Sequence, residues 1–391
     1  MSLDFQQISL KIKEIGAGAR QHEEGLAKLR KHASHLLAHY AGRLDELRNQ
    51  VERARQNDPN LRCALPFNER LDAYYPPAAY PERLTLLAAD GSQVAPDRHA
   101  SVQYGLVNVG AIVMELTSGK PPEISTDSRL LFAEELYTQA GMLTEEAIAL
   151  RRDIAERKKL LELASKFPPP VVALTDGPVE LWGAKGGGED EYRHNLQVHL
   201  SILSQLQSKD VTVAGYVDKP GADLVVRLLE IAELSEDELK DVRIKHSLRG
   251  VTDRWLYSEL LPGGHRSSVF GLQSSSRQHY TGSLGLHFFY LNVGDEKHPW
   301  LVRVEVPAWV ADNESKLKLL HSVLLQQCGI MGARPYPYIL HRAHEVAVVT
   351  YEERQQVEQM LAVELRRSGG VVEGESAKQS AKNLPGRTRS K

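Results

Sequence analysis

Short apolar stretches alternate with helical stretches over most of this sequence, and that alternation limits the folds open to it. Residues 83–89, 171–175 and 211–217 are apolar and have the length of buried strands. Helical periodicity fills residues 143–167, between the first two of these stretches. Strands alternating with helices predict an α/β domain over about residues 80–360, built on a mixed sheet.

The two ends of the sequence differ from this central part. Residues 5–57 contain no proline and are rich in Leu, Ala, Glu, Lys, Arg and Gln, which predicts one or two long amphipathic helices with a break near residues 16–18. We therefore expect a helical arm over residues 1–65, packed on its own body, on a second subunit or on another protein. Residues 368–391 are rich in Gly, Ser, Lys and Arg, which predicts a disordered tail.

The overall composition excludes several classes of protein. No apolar run in the 391 residues approaches the roughly 20 needed to cross a bilayer, and the N-terminus has no secretory-signal pattern. We expect a cytoplasmic protein without a membrane partner. The net charge of −3 argues against a surface coated in positive charge, so any contact with nucleic acid is local. Cys63 and Cys328 form no CxxC pair, which disfavours a thiolate zinc site.

Two of the apolar strands lead into an aspartate followed by glycine, Asp90 in LLAADGS and Asp176 in VVALTDGP. Ligand sites in α/β sheets gather at strand ends, and a glycine after the acid lets the backbone turn sharply beside an ion. Either Asp-Gly pair alone is more often an ordinary turn. Two of them, each following a buried strand, predict carboxylates that share a metal ion.

A third carboxylate is available on the helix that precedes the second of these strands. Glu156 lies near the apolar stripe of Ile148 and Leu160, so it is the helix acid predicted to face inward. The alternative is a surface ion pair with Arg152, one turn earlier. Three carboxylates suit Mg²⁺ or Mn²⁺, which can activate water and stabilise the leaving oxygen in phosphodiester hydrolysis.

Further candidates lie toward the C-terminus. Tyr336 and His344, in YPYILHRAH, have side chains that can stack on a base, ligate a metal ion or donate a proton. Beside prolines, such residues are more often packing and capping groups. Lys219 and Arg266, on loops after VAGYVD and LLPGGH, are predicted to contact DNA phosphates. No GxxxxGK[ST] loop is present, so the sequence shows no ATP motor.

The order of several motifs resembles the NurA family of DNA-end-processing nucleases. The resemblance covers about residues 83–350, and its specificity comes from the order of the motifs, because no single motif is very specific. The motifs are LLAADGS, RRDIAE, VVALTDGP, VAGYVDK, TDRWLYSELLPGGHRS, HFFYLN, VRVEVPAWV and YPYILHRAH.

The resemblance implies an RNase H-like core and a Mn²⁺-dependent 5′ to 3′ exonuclease with single-strand endonuclease activity. It also implies a homodimer that works in DNA double-strand break end resection with a HerA-type hexameric translocase. The family's functional residues fall on Asp90, Glu156, Asp176, Tyr336 and His344, with the three acids and His344 as expected metal ligands.

Several alternatives remain open at this point. Tyr338 competes with Tyr336 for the family's tyrosine, and Asp253 in TDRWLY either supports the site or caps a helix. The function itself has two alternatives, a catalytically silent adaptor that regulates a DNA translocase and a structure-specific or RNA-directed nuclease on the same core. Retention of Asp90, Asp176 and His344 favours the enzyme, since an adaptor has no need of these groups.

Overall fold

The computed structural model describes residues 3–116, 118–138, 141–182 and 189–369. Within the chain, contacts define a first unit, residues 1–80 with 216–335, and a second unit, residues 81–215 with 336–391. All but the first two residues of the tail predicted at 368–391 lie outside the described residues.

The secondary-structure elements of the described residues are as follows. The helices are α1 (Phe5–Tyr40), α2 (Leu44–Asn57), α3 (Glu145–Ala164), α4 (Glu189–Ser208), α5 (Leu224–Glu233), α6 (Asp253–Leu260), α7 (Ala308–Ala311), α8 (Glu314–Ile330), α9 (Tyr338–Ala347) and α10 (Tyr351–Arg367). The strands are β1 (Cys63–Pro66), β2 (Tyr74–Tyr75), β3 (Leu84–Val94), β4 (Gly105–Leu116), β5 (Glu123–Leu131), β6 (Tyr137–Thr138), β7 (Gly141–Met142), β8 (Val171–Asp176), β9 (Thr212–Val217), β10 (Arg266–Ser267), β11 (Phe270–Gln273), β12 (Leu286–Asn292) and β13 (Leu301–Pro307).

The second unit is built on a mixed sheet in the order β9-β8-β3-β4-β5. Strands β3, β4 and β5 form an antiparallel meander, and β8 adds to β3 in parallel. The apolar residues of β3 and β8 are buried, which explains why the two strands read as continuous hydrophobic runs. This strand order is that of an RNase H-like fold, and it confirms the predicted mixed α/β core.

Strand β5 was not indicated by the sequence. It lies at the edge of the sheet, and most of its nine residues are exposed, so it lacks the apolar alternation that marks a half-buried strand. Its register with β4 runs from Gly105 opposite Leu131 to Val113 opposite Glu123. Backbone hydrogen bonds to β4 therefore define β5, because the side chains of β5 show no pattern from which a strand could be predicted.

Helix α9 packs closely on the sheet of the second unit. A Cβ on Gly110 of β4 would lie 2.6 Å from the backbone nitrogen of Ala347, so only glycine allows this approach. Ser92 and Asn108 donate hydrogen bonds of 2.5 and 2.8 Å to the carbonyl oxygen of Ala347. These contacts hold the end of α9 on β3 and β4.

The first unit contains an antiparallel sheet in the order β1-β11-β12-β13. Strands β12 and β13 form a hairpin around the sequence GDEKHP and pair without a break from Leu286 opposite Pro307 to Asn292 opposite Leu301. Strand β1 pairs with β11, and Gln50 of α2 donates a 2.7 Å hydrogen bond to the carbonyl oxygen of Leu234. The predicted arm, residues 1–65, is thus joined to residues 216–335, which the sequence analysis assigned to the α/β domain.

Helix α1 corrects one detail of the predicted arm. The helix runs without interruption through Gly16 and Gly18, and the break before α2 comes at residues 41–43. Glycine in a helix interior costs about 1 kcal/mol relative to alanine but leaves its backbone hydrogen bonds intact. The two glycines therefore weaken the helix without ending it.

Asp253 caps a helix of the first unit. Its buried carboxylate accepts hydrogen bonds from the backbone N–H groups of Val225 (2.9 Å) and Val226 (2.8 Å), in the first turn of α5. The hydroxyl of Tyr290 donates a third, at 2.6 Å. Of the two roles considered for Asp253, supporting the site or capping a helix, these hydrogen bonds favour the capping role.

We expect Asp253→Ala to lower the free energy of unfolding by about 2–4 kcal/mol, because two buried N–H groups and a buried hydroxyl lose their acceptor. Urea denaturation followed by circular dichroism measures the change. Asp237→Ala is the matched control, since that exposed aspartate of the same unit forms an ion pair with exposed Lys240 and its loss should change little.

The same carboxyl also predicts a pH dependence. Burial raises the pKa of Asp253 to about 6, although its three hydrogen bonds oppose the shift. Because the folded state then holds this proton more tightly than the unfolded chain, its stabilising contribution is complete below about pH 4 and is lost as the pH rises through about 6. The urea midpoint should fall more between pH 5 and pH 7 in the wild type than in Asp253→Asn. Identical pH profiles would contradict this assignment.

Candidate active site

The pairing of β3 with β8 places two carboxylates side by side. The parallel register ends at Ala89 opposite Thr175, and the next residue on each strand is Asp90 or Asp176. Neighbouring strands lie about 4.8 Å apart, and residues in matching register project from the same face of the sheet. The two acids predicted from their strands are therefore neighbours.

The two Asp-Gly pairs differ in their backbone role. Asp176 ends β8, and Gly177 follows with a φ of +88°, a conformation that favours glycine, as the turn interpretation expects. Asp90 lies within β3, which continues to Val94, so the expectation that its strand ends there was wrong. Gly91 is needed for close packing instead, because a Cβ there would lie 2.6 Å from both Cγ of Arg152 and Oε1 of Glu156.

Glu156 faces inward from α3, as predicted. Its side chain is buried, and burial raises its pKa to about 8, with Asp153 adding to the shift and Arg152 opposing it. The Nε atom of Arg152 lies 3.2 Å from Oε1 of Glu156 but is not aligned for a hydrogen bond, and Oε1 receives none from the described residues. The inward position and the Arg152 contact, proposed as alternatives, therefore occur together.

His344 and Tyr336 each contact one of the paired aspartates. Nδ1 of His344 lies 2.7 Å from Oδ2 of Asp90, so an N–H at this position donates to the carboxylate. The backbone N–H of Gly91 donates to Oδ1 of the same residue at 2.8 Å. Tyr336 hydrogen-bonds the side chain of Asp176, and this contact favours Tyr336 over Tyr338 as the site tyrosine.

The surroundings of Asp176 disfavour the negative charge of its carboxylate. Although Asp176 is exposed at the end of β8, partial desolvation of its carboxyl raises the pKa, the neighbouring charge of Asp90 raises it further, and the Tyr336 hydrogen bond and His344 act in the opposite direction. Two carboxylates this close repel each other, and a bound cation relieves that repulsion. The pair is consequently suited to a positively charged ligand.

These side chains line one cavity of about 570 Å³. Its lining consists of Asp90, Gly91, Arg152, Asp153, Glu156, Arg157, Asp176, Pro178, Glu180, Trp182 and His344. The sequence analysis did not single out Asp153, Glu180 or Trp182. Asp153 precedes Glu156 by three residues and so shares its helix face, whereas Glu180 and Trp182 lie on the segment that follows Asp176.

The donor set of this cavity suits a hard divalent cation. Carboxylate oxygens from Asp90, Glu156 and Asp176 are the ligands that Mn²⁺ and Mg²⁺ prefer, and Oε1 of Glu156 is buried and accepts no hydrogen bond from the part of the chain that the structure describes. No group of three His, Cys, Asp or Glu side chains in the described part of the chain already has the arrangement of a metal site. In this arrangement Asp90 is directed to His344, and Glu156 lies beside Arg152.

The two predicted DNA-binding residues belong to the first unit. Arg266 is 7% exposed, and its guanidinium donates to both carboxylate oxygens of Glu69, at 3.0 and 3.1 Å. The guanidinium of Arg266 is thus held in a buried ion pair, and its contact with a DNA phosphate stays a prediction. Lys219 is exposed, with Nζ 4.5 Å from the ring centroid of Trp300, and its role stays a prediction.

Comparison with known proteins identifies the family. The NurA domain model matches residues 84–349, well over half of the chain. The chain belongs to the NurA family. No curated protein sequence matches it.

The solved structures similar to this NurA protein are distant in sequence. The crystal structure of the NurA nuclease from Sulfolobus solfataricus is 13% identical, with 82% of this chain and 93% of that chain covered and a TM-score of 0.48. The catalytic domain of human Endonuclease V is 17% identical, with 71% and 84% covered and a TM-score of 0.31. Among the described residues of this NurA protein, no helix combines the length and hydropathy that crossing a bilayer requires.

The close packing at Gly91 allows a test of whether Glu156 binds a metal ion in this cavity. In Gly91→Ala the new Cβ meets Cγ of Arg152 and Oε1 of Glu156, so α3 and the Glu156 carboxylate must shift. We expect a stability loss of about 1–3 kcal/mol and weaker Mn²⁺ binding, measured by thermal melting and by isothermal titration calorimetry.

Gly16→Ala provides the matched control, because a Cβ at that position meets nothing within 4 Å. This variant should gain about 0.5–1 kcal/mol of stability from helix propensity and bind Mn²⁺ as the wild type does. Unchanged Mn²⁺ affinity in Gly91→Ala would show that Glu156 does not hold the ion.

Proposed function

We propose that this NurA protein is a metal-dependent nuclease that hydrolyses phosphodiester bonds of DNA. The observation that carries the proposal is the pairing of Asp90 with Asp176 on adjacent strands, in one cavity with the buried carboxylate of Glu156. Membership of the NurA family supports it. A catalytically silent adaptor would have no use for two neighbouring, mutually repelling aspartates beside the buried Glu156.

Asp90, Glu156 and Asp176 are the proposed ligands of Mn²⁺, or of Mg²⁺ in its place. The bound ion would supply Lewis acidity toward the phosphate and ease the deprotonation of water. His344 was predicted as a further ligand, yet its Nδ1 contacts Asp90 and 61% of its side chain is exposed. A role in proton transfer therefore suits His344 better than a role as a buried ligand.

The remaining side chains have distinct proposed tasks. Asp90 fixes the orientation of the His344 imidazole through the contact at Nδ1, which leaves Nε2 to exchange a proton with the reacting groups. Tyr336 orients the carboxylate of Asp176. Arg152 balances part of the negative charge of Glu156 and lines the cavity, where a phosphate is the natural second partner for its guanidinium.

The finer description rests on what is known of the NurA family. We propose 5′ to 3′ exonuclease and single-strand endonuclease activity, a homodimer, and a role in end resection with a HerA-type hexameric translocase. A structure-specific or RNA-directed nuclease would use the same acids, so assays on defined substrates have to distinguish these activities. Lys219 is the residue of the first unit proposed to contact a phosphate, since its amino group is exposed.

Substitution of the paired aspartates tests the chemistry. Asp90→Asn and Asp176→Asn should each lower the rate of cleavage of end-labelled DNA in Mn²⁺ by about 100-fold or more, because each loses a charged metal ligand. EDTA should abolish wild-type cleavage. Melting temperatures should stay the same or rise, since the carboxylates no longer repel each other.

Asp127→Asn is the control for these variants. Asp127 lies on β5 of the same sheet and pairs with Lys159 at 3.1 Å. It is not among the residues that line the cavity of Asp90 and Asp176. Its cleavage rate should match that of the wild type. A folded Asp90→Asn protein that cuts DNA at the wild-type rate would refute the proposed active site.

A second prediction concerns the partner. The sequence contains no phosphate-binding loop, whereas resection of long duplexes requires strand separation driven by nucleotide hydrolysis. Purified protein mixed with its cognate HerA-type ATPase should resect long duplex DNA only when ATP is present. The same mixture with Asp90→Asn controls for contaminating nucleases. Equal resection by the isolated chain, with no complex on size exclusion, would contradict the dependence.

A further inference from the structure

Trp182 is exposed where a large aromatic side chain would ordinarily be buried. It is 58% exposed, whereas Glu180, two residues earlier, is only 5% exposed. This arrangement reverses the usual order, because a tryptophan gains much more from leaving water than a glutamate does. A single exposed apolar residue is common on protein surfaces and does not by itself indicate a binding site. Whether Trp182 has a function therefore depends on where in the fold it lies.

The segment that leads to Trp182 is anchored in the second unit. Val179 and Leu181 are both 2% exposed. Arg157 donates to the carbonyl oxygen of Pro178 at 3.3 Å, and the hydroxyl of Tyr192 donates to that of Leu181 at 3.4 Å. The backbone is thus fixed up to the residue before Trp182, which sets the place from which the indole projects.

That place is the cavity of the paired aspartates. Trp182 lines it together with Asp90, Asp176 and His344, and its volume of about 570 Å³ falls within the range of pockets for ligands of nucleotide size. Apart from acids, arginines and His344, the other described lining residues are Gly91 and Pro178. Among the described residues that line this cavity, Trp182 therefore offers the largest aromatic surface to a substrate, and the imidazole of His344 is the other aromatic ring.

We propose that Trp182 stacks on the base of the nucleotide next to the scissile phosphate, so that the substrate enters the cavity as an unpaired strand. The inference rests on the proposed nuclease function and names the form of DNA that the site accepts. Every base has a face that can stack on an aromatic ring, so the contact is tolerant of sequence. Inside a duplex both faces of an internal base are already stacked, whereas the bases of an unpaired strand can leave the stack and present a face to the indole.

Binding to single-stranded DNA tests the proposal. In an Asp176→Asn background, which suppresses cleavage, Trp182→Ala should raise the Kd for a short single strand by about 5- to 150-fold, measured by fluorescence anisotropy. Trp182→Phe keeps a ring and should recover most of the affinity. Tyr351→Ala is the matched control, since this aromatic residue of the same unit is also 58% exposed and is absent from the cavity lining.

An abasic-site scan distinguishes stacking from other contacts. Single abasic sites are placed along the oligonucleotide, and one position should weaken binding to the Trp182-containing protein but not to Trp182→Ala. If every abasic position has the same effect on both proteins, or if Trp182→Ala binds as tightly as its parent, the stacking proposal is overturned. Failure of the nuclease function is a separate result, because it would appear as full cleavage by Asp90→Asn.

Discussion

The parallel register between β3 and β8 is the constraint on which the site depends. It brings Asp90 and Asp176 onto neighbouring strands with their side chains on one face, and a slip of one residue would turn one of them to the other face. Backbone hydrogen bonds thereby hold together two carboxylates that repel each other. Partial desolvation is the main cause of the raised pKa of Asp176, and the charge of Asp90 adds to it.

Two glycines allow the helices to approach this sheet. Gly91 admits the side chains of Arg152 and Glu156 from α3, and Gly110 admits the backbone of α9, which carries His344. Close packing thus sets the positions of the side chains around the aspartates. Each approach depends on the absence of one Cβ, so the cavity owes its shape to residues that have no functional group of their own.

Local sequence patterns predicted much of the sheet and of the acidic site. They failed where contacts between residues far apart in the sequence determine the structure. Buried-strand runs and helix periodicity pointed to the two aspartates and to an inward-facing Glu156, because those signals lie within a few neighbouring residues. They did not show that β3 continues past Asp90, since packing against α3 determines the role of Gly91. They did not reveal the ion pair of Arg266 either, because its partner, Glu69, lies 197 residues earlier in the chain.

The discontinuity of the second unit has a consequence for how the protein is made. His344 follows its partner Asp90 by 254 positions, and residues 216–335 of the first unit are synthesised in between. A ribosome therefore synthesises Asp90, Glu156 and Asp176 long before it adds α9. A nascent chain that has not reached α9 carries the paired aspartates without the histidine, so the full set of side chains exists only after residues 216–335 have also been synthesised.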